Sequence, residues 1–172
     1  MNRKLGLMLT ILVSLTLAAC SSKKETPAEP TTTAPVKTQP TGPEYVYGLP
    51  YTADQLRALG IFGDPRDEKV VLFEYNSSEI DRRSQVILEA HAKYLGKQAG
   101  TRVTLEGHAD ERGTRDYNLA LGERRANAAS RFLSAQGANS NNQTISYGEE
   151  RPVDTAHTEE AWKKNRRVEI KY

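Results

Sequence analysis

Cysteine is almost missing from this chain: its 172 residues include one, Cys20. A lone cysteine excludes an internal disulfide and any metal site built from several thiolates. Net charge is nearly missing as well. The 24 Lys and Arg against 22 Asp and Glu leave a formal +2, which points neither toward nucleic acid nor away from it. Both signs are interspersed through the second half, as on an ordinary soluble surface. Long apolar runs are missing too. A mean hydropathy of -0.65 excludes a polytopic membrane protein, and the one apolar stretch, at the N-terminus, is short for a spanning helix. The only histidines are His91, His108 and His157. Although His108 shares a loop with Asp110, no closely spaced pair of metal ligands exists. There is also no Gly-x-Ser-x-Gly elbow and no phosphate loop. The length suits one domain with extensions.

What is present begins with a processing signal. Arg3 and Lys4 open the chain, Leu5 to Leu17 form an apolar stretch, and the small residues Ala18 and Ala19 follow. That is the three-part form of a secretory signal over residues 1–19. Leu17-Ala18-Ala19-Cys20 then resembles the bacterial lipobox. The spacing has a chemical reason, since a thiol readily forms a thioether to diacylglycerol and small residues give the peptidase access. Palmitate-type acyl chains at about 0.8 kcal/mol per buried methylene hold such a cysteine firmly on a bilayer. Ser21 stands where an aspartate commonly retains lipoproteins at the inner membrane, so the outer membrane is the expected address.

Residues 20–43 are expected to form a disordered tether after the acylated cysteine. The stretch is Thr, Pro, Lys, Glu and Ala, punctuated by Pro27, Pro30, Pro35, Pro40 and Pro43. It offers too little apolar surface to offset the entropy of ordering. At full stretch about 23 residues reach about 70 Å. Residues 44–67 read as transitional. In them Tyr45, Tyr47, Leu49 and Tyr51 are candidates to pack on the domain, and Thr52 to Leu59 a candidate short helix.

From residue 68 to 172 the pattern is regular. Strands are expected over 70–75, 101–107, 144–147 and 167–172, from runs such as Val70-Val71-Leu72-Phe73 and the alternation of Val103 and Leu105. Helices are expected over 83–97 and 118–136, with Gly137 as a stop, and a short one over 159–164. Strands alternating with helices give an α/β fold, an α+β sandwich with helices packed on one small mixed sheet. On the second long helix Arg125 aligns with Leu121, Ala128 and Phe132, a charge on a face that should be buried. Arg124 aligns with polar residues and reads as solvated. Asp110 lies in a Gly- and charge-rich loop after the second strand, where ligand sites of such folds tend to sit. From the residues alone, an Asp110–Arg125 pair reads equally well as a ligand site or as a salt bridge orienting a loop.

The run Leu105-Glu106-Gly107-His108-Ala109-Asp110-Glu111-Arg112-Gly113-Thr114, continuing through Tyr117-Asn118 to Leu121-Gly122-Glu123-Arg124-Arg125-Ala126-Asn127, resembles the OmpA-like family. The ending Asn165-Arg166-Arg167-Val168-Glu169-Ile170 resembles the family's closing motif. The resemblance covers residues 69–172, and the lipobox and tether fit the lipid-anchored, peptidoglycan-associated members independently. It implies a non-enzymatic domain, without cofactor or metal, that holds peptidoglycan through the meso-diaminopimelate of the stem peptide. It also implies partners in the Tol system, among them a periplasmic propeller protein, and a part in envelope integrity and cell division.

Carried over by position, the family pattern makes Asp110 and Arg125 the gripping pair. A carboxylate suits the ammonium of that zwitterion, and a guanidinium suits its carboxylate. On this reading Asp110→Ala and Arg125→Ala weaken wall binding and leave the domain folded. Phe73 and Glu74 match the first-strand segment that lines the family's pocket. Leu121 packs on ligand methylenes or serves as a core leucine. Asn76 departs from an aspartate common in the family and offers a hydrogen bond or backbone contact in place of a charge. Thr114 and Asn118 are expected to shape the loop or cap the helix, and Arg166 and Arg167 to face a partner or pair with acids. Two other readings are a protein-interaction module on the same scaffold and a wall-cleaving amidase, which zinc content and released muropeptides would reveal.

Overall fold

The computed structural model describes residues 46–172. The expected signal peptide, Cys20, the expected tether and Tyr45 lie outside the described residues.

The domain is a four-stranded mixed sheet with two long helices on one face. In chain order the regular elements are α1 (Ala53–Ala58), β1 (Val70–Leu72), α2 (Arg82–Leu95), β2 (Thr101–His108), α3 (Arg115–Ala135), β3 (Ser140–Gly148), α4 (Glu159–Asn165) and β4 (Arg167–Lys171). The spatial order is β1-β4-β2-β3. β4 runs antiparallel to both neighbours, and β2 and β3 are parallel. A parallel pair needs a crossover, and α3 supplies it.

Alternation along the strands sets which face is buried. Val103 and Leu105 of β2, Val168 and Ile170 of β4 and Val71 of β1 meet Val86, Ile87, Leu95, Ala126, Ala129 and Leu133 of α2 and α3 in one core. The opposite face carries Glu106 of β2 and Arg167, Glu169 and Lys171 of β4. There Lys171 pairs with Glu106 and Glu169, and Arg167 pairs with Glu169 at 2.6 Å. Leu49, Leu56 and Ile61 join the same core, so the stretch before β1 is part of the domain's packing. Its helix α1 starts at a capping box in which Thr52 and Gln55 each satisfy the other's backbone N–H. Tyr47 stays exposed.

Side-chain caps and backbone reversals set the helix limits. Asp81 caps α2 by accepting from Ser84 N, and Thr114 caps α3 by accepting from Tyr117 N. At the far end of α3, Gly137 has φ +87°, and Ala138 N donates to Leu133 O at 3.0 Å. That reversal caps the orphan carbonyls and lays Ala138 on the core.

One contact sets how close α3 comes to the sheet. A Cβ on Gly107 of β2 would fall inside the Gly122 carbonyl of α3, and one on Gly122 would meet Ser146 Oγ. The helix therefore rests on the strand backbone itself. Arg125 lies one turn further along α3, beside the end of β2.

Candidate ligand-binding site

The site forms where β2 ends. Its register against β3 slips between Gly107 and His108, so that His108 pairs with Gly148. Such a bulge re-aims the chain at a sheet's edge, and Asp110 follows it directly. Across the cleft, the segment after β1 turns at Asn76, whose φ of +52° is left-handed, a conformation that asparagine tolerates. This turn ends β1 at Leu72, short of the expected residue 75.

Arg125 is 0% exposed, and three backbone carbonyls hold it. Its Nε donates to Ser77 O at 2.8 Å, Nη1 to His108 O at 2.8 Å and Nη2 to Glu74 O at 3.0 Å. The Phe73 ring lies 5.3 Å from the guanidinium carbon. Among the described residues no carboxylate lies within salt-bridge distance of it. Burial lowers its pKa to about 10, against the nearby charge of Asp110, so it remains a cation at neutral pH. A guanidinium has five N–H groups and three are used here. The arrangement is a buried cation short of an anion. Because truncating it would leave three carbonyls without their donor, the expectation that Arg125→Ala leaves the fold intact does not survive this geometry.

Asp110 is 4% exposed, and arginine side chains surround it. It accepts from Arg112 N at 3.1 Å, Arg112 Nε at 3.2 Å, Arg112 Nη2 at 2.7 Å and Arg166 Nη1 at 3.3 Å. Burial alone would raise the carboxyl's pKa, but these donors outweigh it and hold the group below the ordinary aspartate range. Arg166 is itself fixed by Phe73 O at 3.0 Å and Glu159 at 2.8 Å. Arg167 pairs with Glu169 on the far face. Both closing arginines therefore pair with acids.

Asp110 and Arg125 share one cavity of about 160 Å³, lined also by Tyr75, Asn76, Arg112, Tyr117, Asn118 and Leu121. They make no direct salt bridge, so the loop-orienting alternative is not the arrangement found. Leu121, 5% exposed, forms an apolar wall. Phe73 and Glu74 line a different cavity, of about 440 Å³, beside β1. Glu74 reaches Arg125 only through its carbonyl, and Phe73 supports Arg125 through its ring. Tyr75 and Asn76 take the wall position that was expected of those two. The Tyr117 hydroxyl bonds to Asn76 Oδ1, and the Asn118 amide bonds to Glu149. Arg112, to which the sequence pattern assigns no role, is part of this site. Its contacts come from three separate chain segments, and no local pattern announces them.

This site and fold define a class: a mixed α/β sheet domain carrying an acid and a buried base in one cleft at a strand end. Residues 72–166 match the model of the OmpA family. The chain is 55% identical over 100 residues to the peptidoglycan-associated lipoprotein of Pseudomonas aeruginosa, covering 58% of this chain and 59% of that protein. It is 36% identical over 162 residues to the peptidoglycan-associated lipoprotein of Rhizobium meliloti, covering 94% of this chain and 84% of that one. Among solved structures, the peptidoglycan-associated lipoprotein from Burkholderia pseudomallei superposes with a TM-score of 0.58 at 38% identity, over 62% of this chain and 91% of that one. The C-terminal domain of Helicobacter pylori MotB matches with a TM-score of 0.55 at 24% identity, over 60% of this chain and 83% of that one, a likeness of fold alone. The chain belongs to the OmpA family, on its peptidoglycan-associated lipoprotein branch.

Proposed function

We propose that this chain is an outer-membrane lipoprotein, facing the periplasm, whose domain holds peptidoglycan non-covalently through the meso-diaminopimelate of its stem peptides. The observation that carries the reading is Arg125, a fully buried cation with no carboxylate partner among the described residues, lining the same cavity as Asp110. The free end of meso-diaminopimelate is an ammonium and a carboxylate on one carbon. Asp110 takes the ammonium, and the unused N–H groups of Arg125 take the carboxylate in a fork. Leu121 and Tyr117 then flank the methylenes. The proposed role is binding, in keeping with relatives named peptidoglycan-associated lipoproteins. Acylation at Cys20 would join this grip to the membrane, with the tether spanning the gap. The relatives' names support an envelope role, and Tol-system proteins, including a periplasmic propeller, are the proposed protein partners.

The test is co-sedimentation of the intact protein with two purified walls, one carrying meso-diaminopimelate and one carrying lysine at the stem position. Lysine lacks the second carboxylate. The expected result is selective pelleting with the first wall, lost in Asp110→Ala. Equal pelleting with both walls, or an unaffected Asp110→Ala variant, would overturn the pocket assignment.

A further inference from the structure

The carboxylate proposed to take the ligand's ammonium is already occupied. Arg112 lies along Asp110 with two side-chain N–H groups and its backbone N–H, and Asp110 is 4% exposed as a result. Other groups hold Arg112 in that position. Its guanidinium carbon is 4.1 Å from the Tyr75 ring centre and 4.2 Å from that of Trp162, a cation between two aromatic faces. Its Nη1 meets Glu159 at 3.2 Å. Trp162 is itself fixed, because Nε1 donates to Glu111 Oε1 at 2.8 Å. Arg112 is also the movable member of the cluster. Its side chain is 28% exposed, whereas that of Arg166, the other donor to Asp110, is 3% exposed and anchored elsewhere. While Arg112 stays there, both oxygens of Asp110 accept from it, on the wall of the cavity that the ammonium would enter.

From this we infer that Arg112 is a built-in counter-ion, a latch that occupies the ammonium position of the site and must swing out before ligand binds. The inference rests on the ligand reading above and adds a step to it. Four consequences follow from the chemistry. Displacing the latch costs every incoming amine the same free energy, so it lowers all affinities by one factor and leaves their ratio unchanged. A ligand that offers only an ammonium replaces what Arg112 gave and gains nothing more. A zwitterion also gains the free N–H groups of Arg125, so it opens the latch where a simple amine does not. In the absence of ligand, the latch keeps a buried carboxylate paired.

The experiment uses the intact protein in detergent and two synthetic tripeptides, L-Ala-D-Glu-meso-diaminopimelate and its lysine counterpart. Trp162 is the only tryptophan in the chain, which makes it a reporter of Arg112 leaving its face. Arg112→Ala removes the latch, and Arg112→Met removes its charge but keeps a stem between the two rings, which covers the case in which the alanine variant does not fold. Calorimetry should show both variants binding the diaminopimelate peptide more tightly than the parent, by about tenfold, with an equal gain for the lysine peptide. Saturating ligand should shift Trp162 emission in the parent and leave it unmoved in the variants. Equal or weaker binding by the variants, with the parent binding normally, overturns the latch and makes Arg112 an ordinary contact residue. Binding by neither parent nor variants overturns the ligand reading, and the latch with it.

Discussion

Acidification should weaken the fold through two buried histidines before the carboxylates contribute. His91 is fully buried in α2, with Nε2 at 2.9 Å from Glu68 O and Nδ1 at 2.8 Å from the Tyr172 hydroxyl. A carbonyl only accepts, so Nε2 carries the proton, and in the neutral ring Nδ1 accepts from Tyr172; a second proton would place a full charge in the core and turn the hydroxyl into the acceptor. His108 is 1% exposed, and neither ring nitrogen has a hydrogen-bond partner, with Glu169 3.8 Å from Nε2. Burial lowers both to about 4 from 6.5, and Lys69 adds to the effect at His91 as Arg167 does at His108. In both cases the folded value lies below the unfolded one, so between these values the unfolded chain binds more protons and stability rises with pH. The full contribution is present above about pH 6.5 and is lost as pH falls toward 4. At about pH 5 each histidine has cost about 2 kcal/mol relative to neutral pH, about 4 kcal/mol together. Urea unfolding followed by Trp162 fluorescence, at about pH 7.5 and about pH 5, measures this directly. His91→Gln and His108→Gln each destabilise at neutral pH, yet each should roughly halve the difference between the two pH values. If the double variant loses as much stability on acidification as the parent, the buried neutral histidines are not its origin.

Three other expectations can be checked with standard assays. Gly122→Ala should cost about 1–3 kcal/mol in thermal unfolding, because the added methyl lifts α3 off β2; an unchanged melt would mean that the contact is not limiting. Arg125→Ala should lower stability by at least about 3 kcal/mol, since three carbonyls lose one donor, whereas Arg125→Lys should keep more of the fold but lose the preference for diaminopimelate wall over lysine wall. Retention of that preference by the lysine variant would show that the guanidinium fork is not what reads the ligand. Cys20→Ser should move the protein from the detergent phase to the aqueous phase on partitioning; no change would refute acylation at Cys20.

Much of the site's composition was legible because helical periodicity is local. Arg125 stands out by its alignment with Leu121 and Phe132, and that is enough to mark it as a buried charge. The alternation around Val103 and Leu105 and the stop at Gly137 were readable for the same reason. Boundaries that depend on a distant partner were not. The first strand was expected to reach residue 75 but stops at Leu72, because Arg125 of α3 draws the carbonyls of Glu74 and Ser77 toward itself and Asn76 reverses the chain. Helix α3 begins at Arg115, ahead of the expected Asn118, because Thr114 takes the cap.

The sequence by itself determined the class of fold, the order of its elements, and which acid and which base belong to the cleft, since each follows from spacing along one stretch of chain. Tertiary structure alone decided what those charges touch. Asp110 meets Arg112 and Arg166 in place of Arg125, and Arg125 holds backbone carbonyls in place of a carboxylate. It also decided that Tyr75 and Asn76, not Phe73 and Glu74, line the cavity. The physical reason is that a buried charge is satisfied by whichever groups the packing brings within about 3 Å, and that packing depends on residues dozens of positions away.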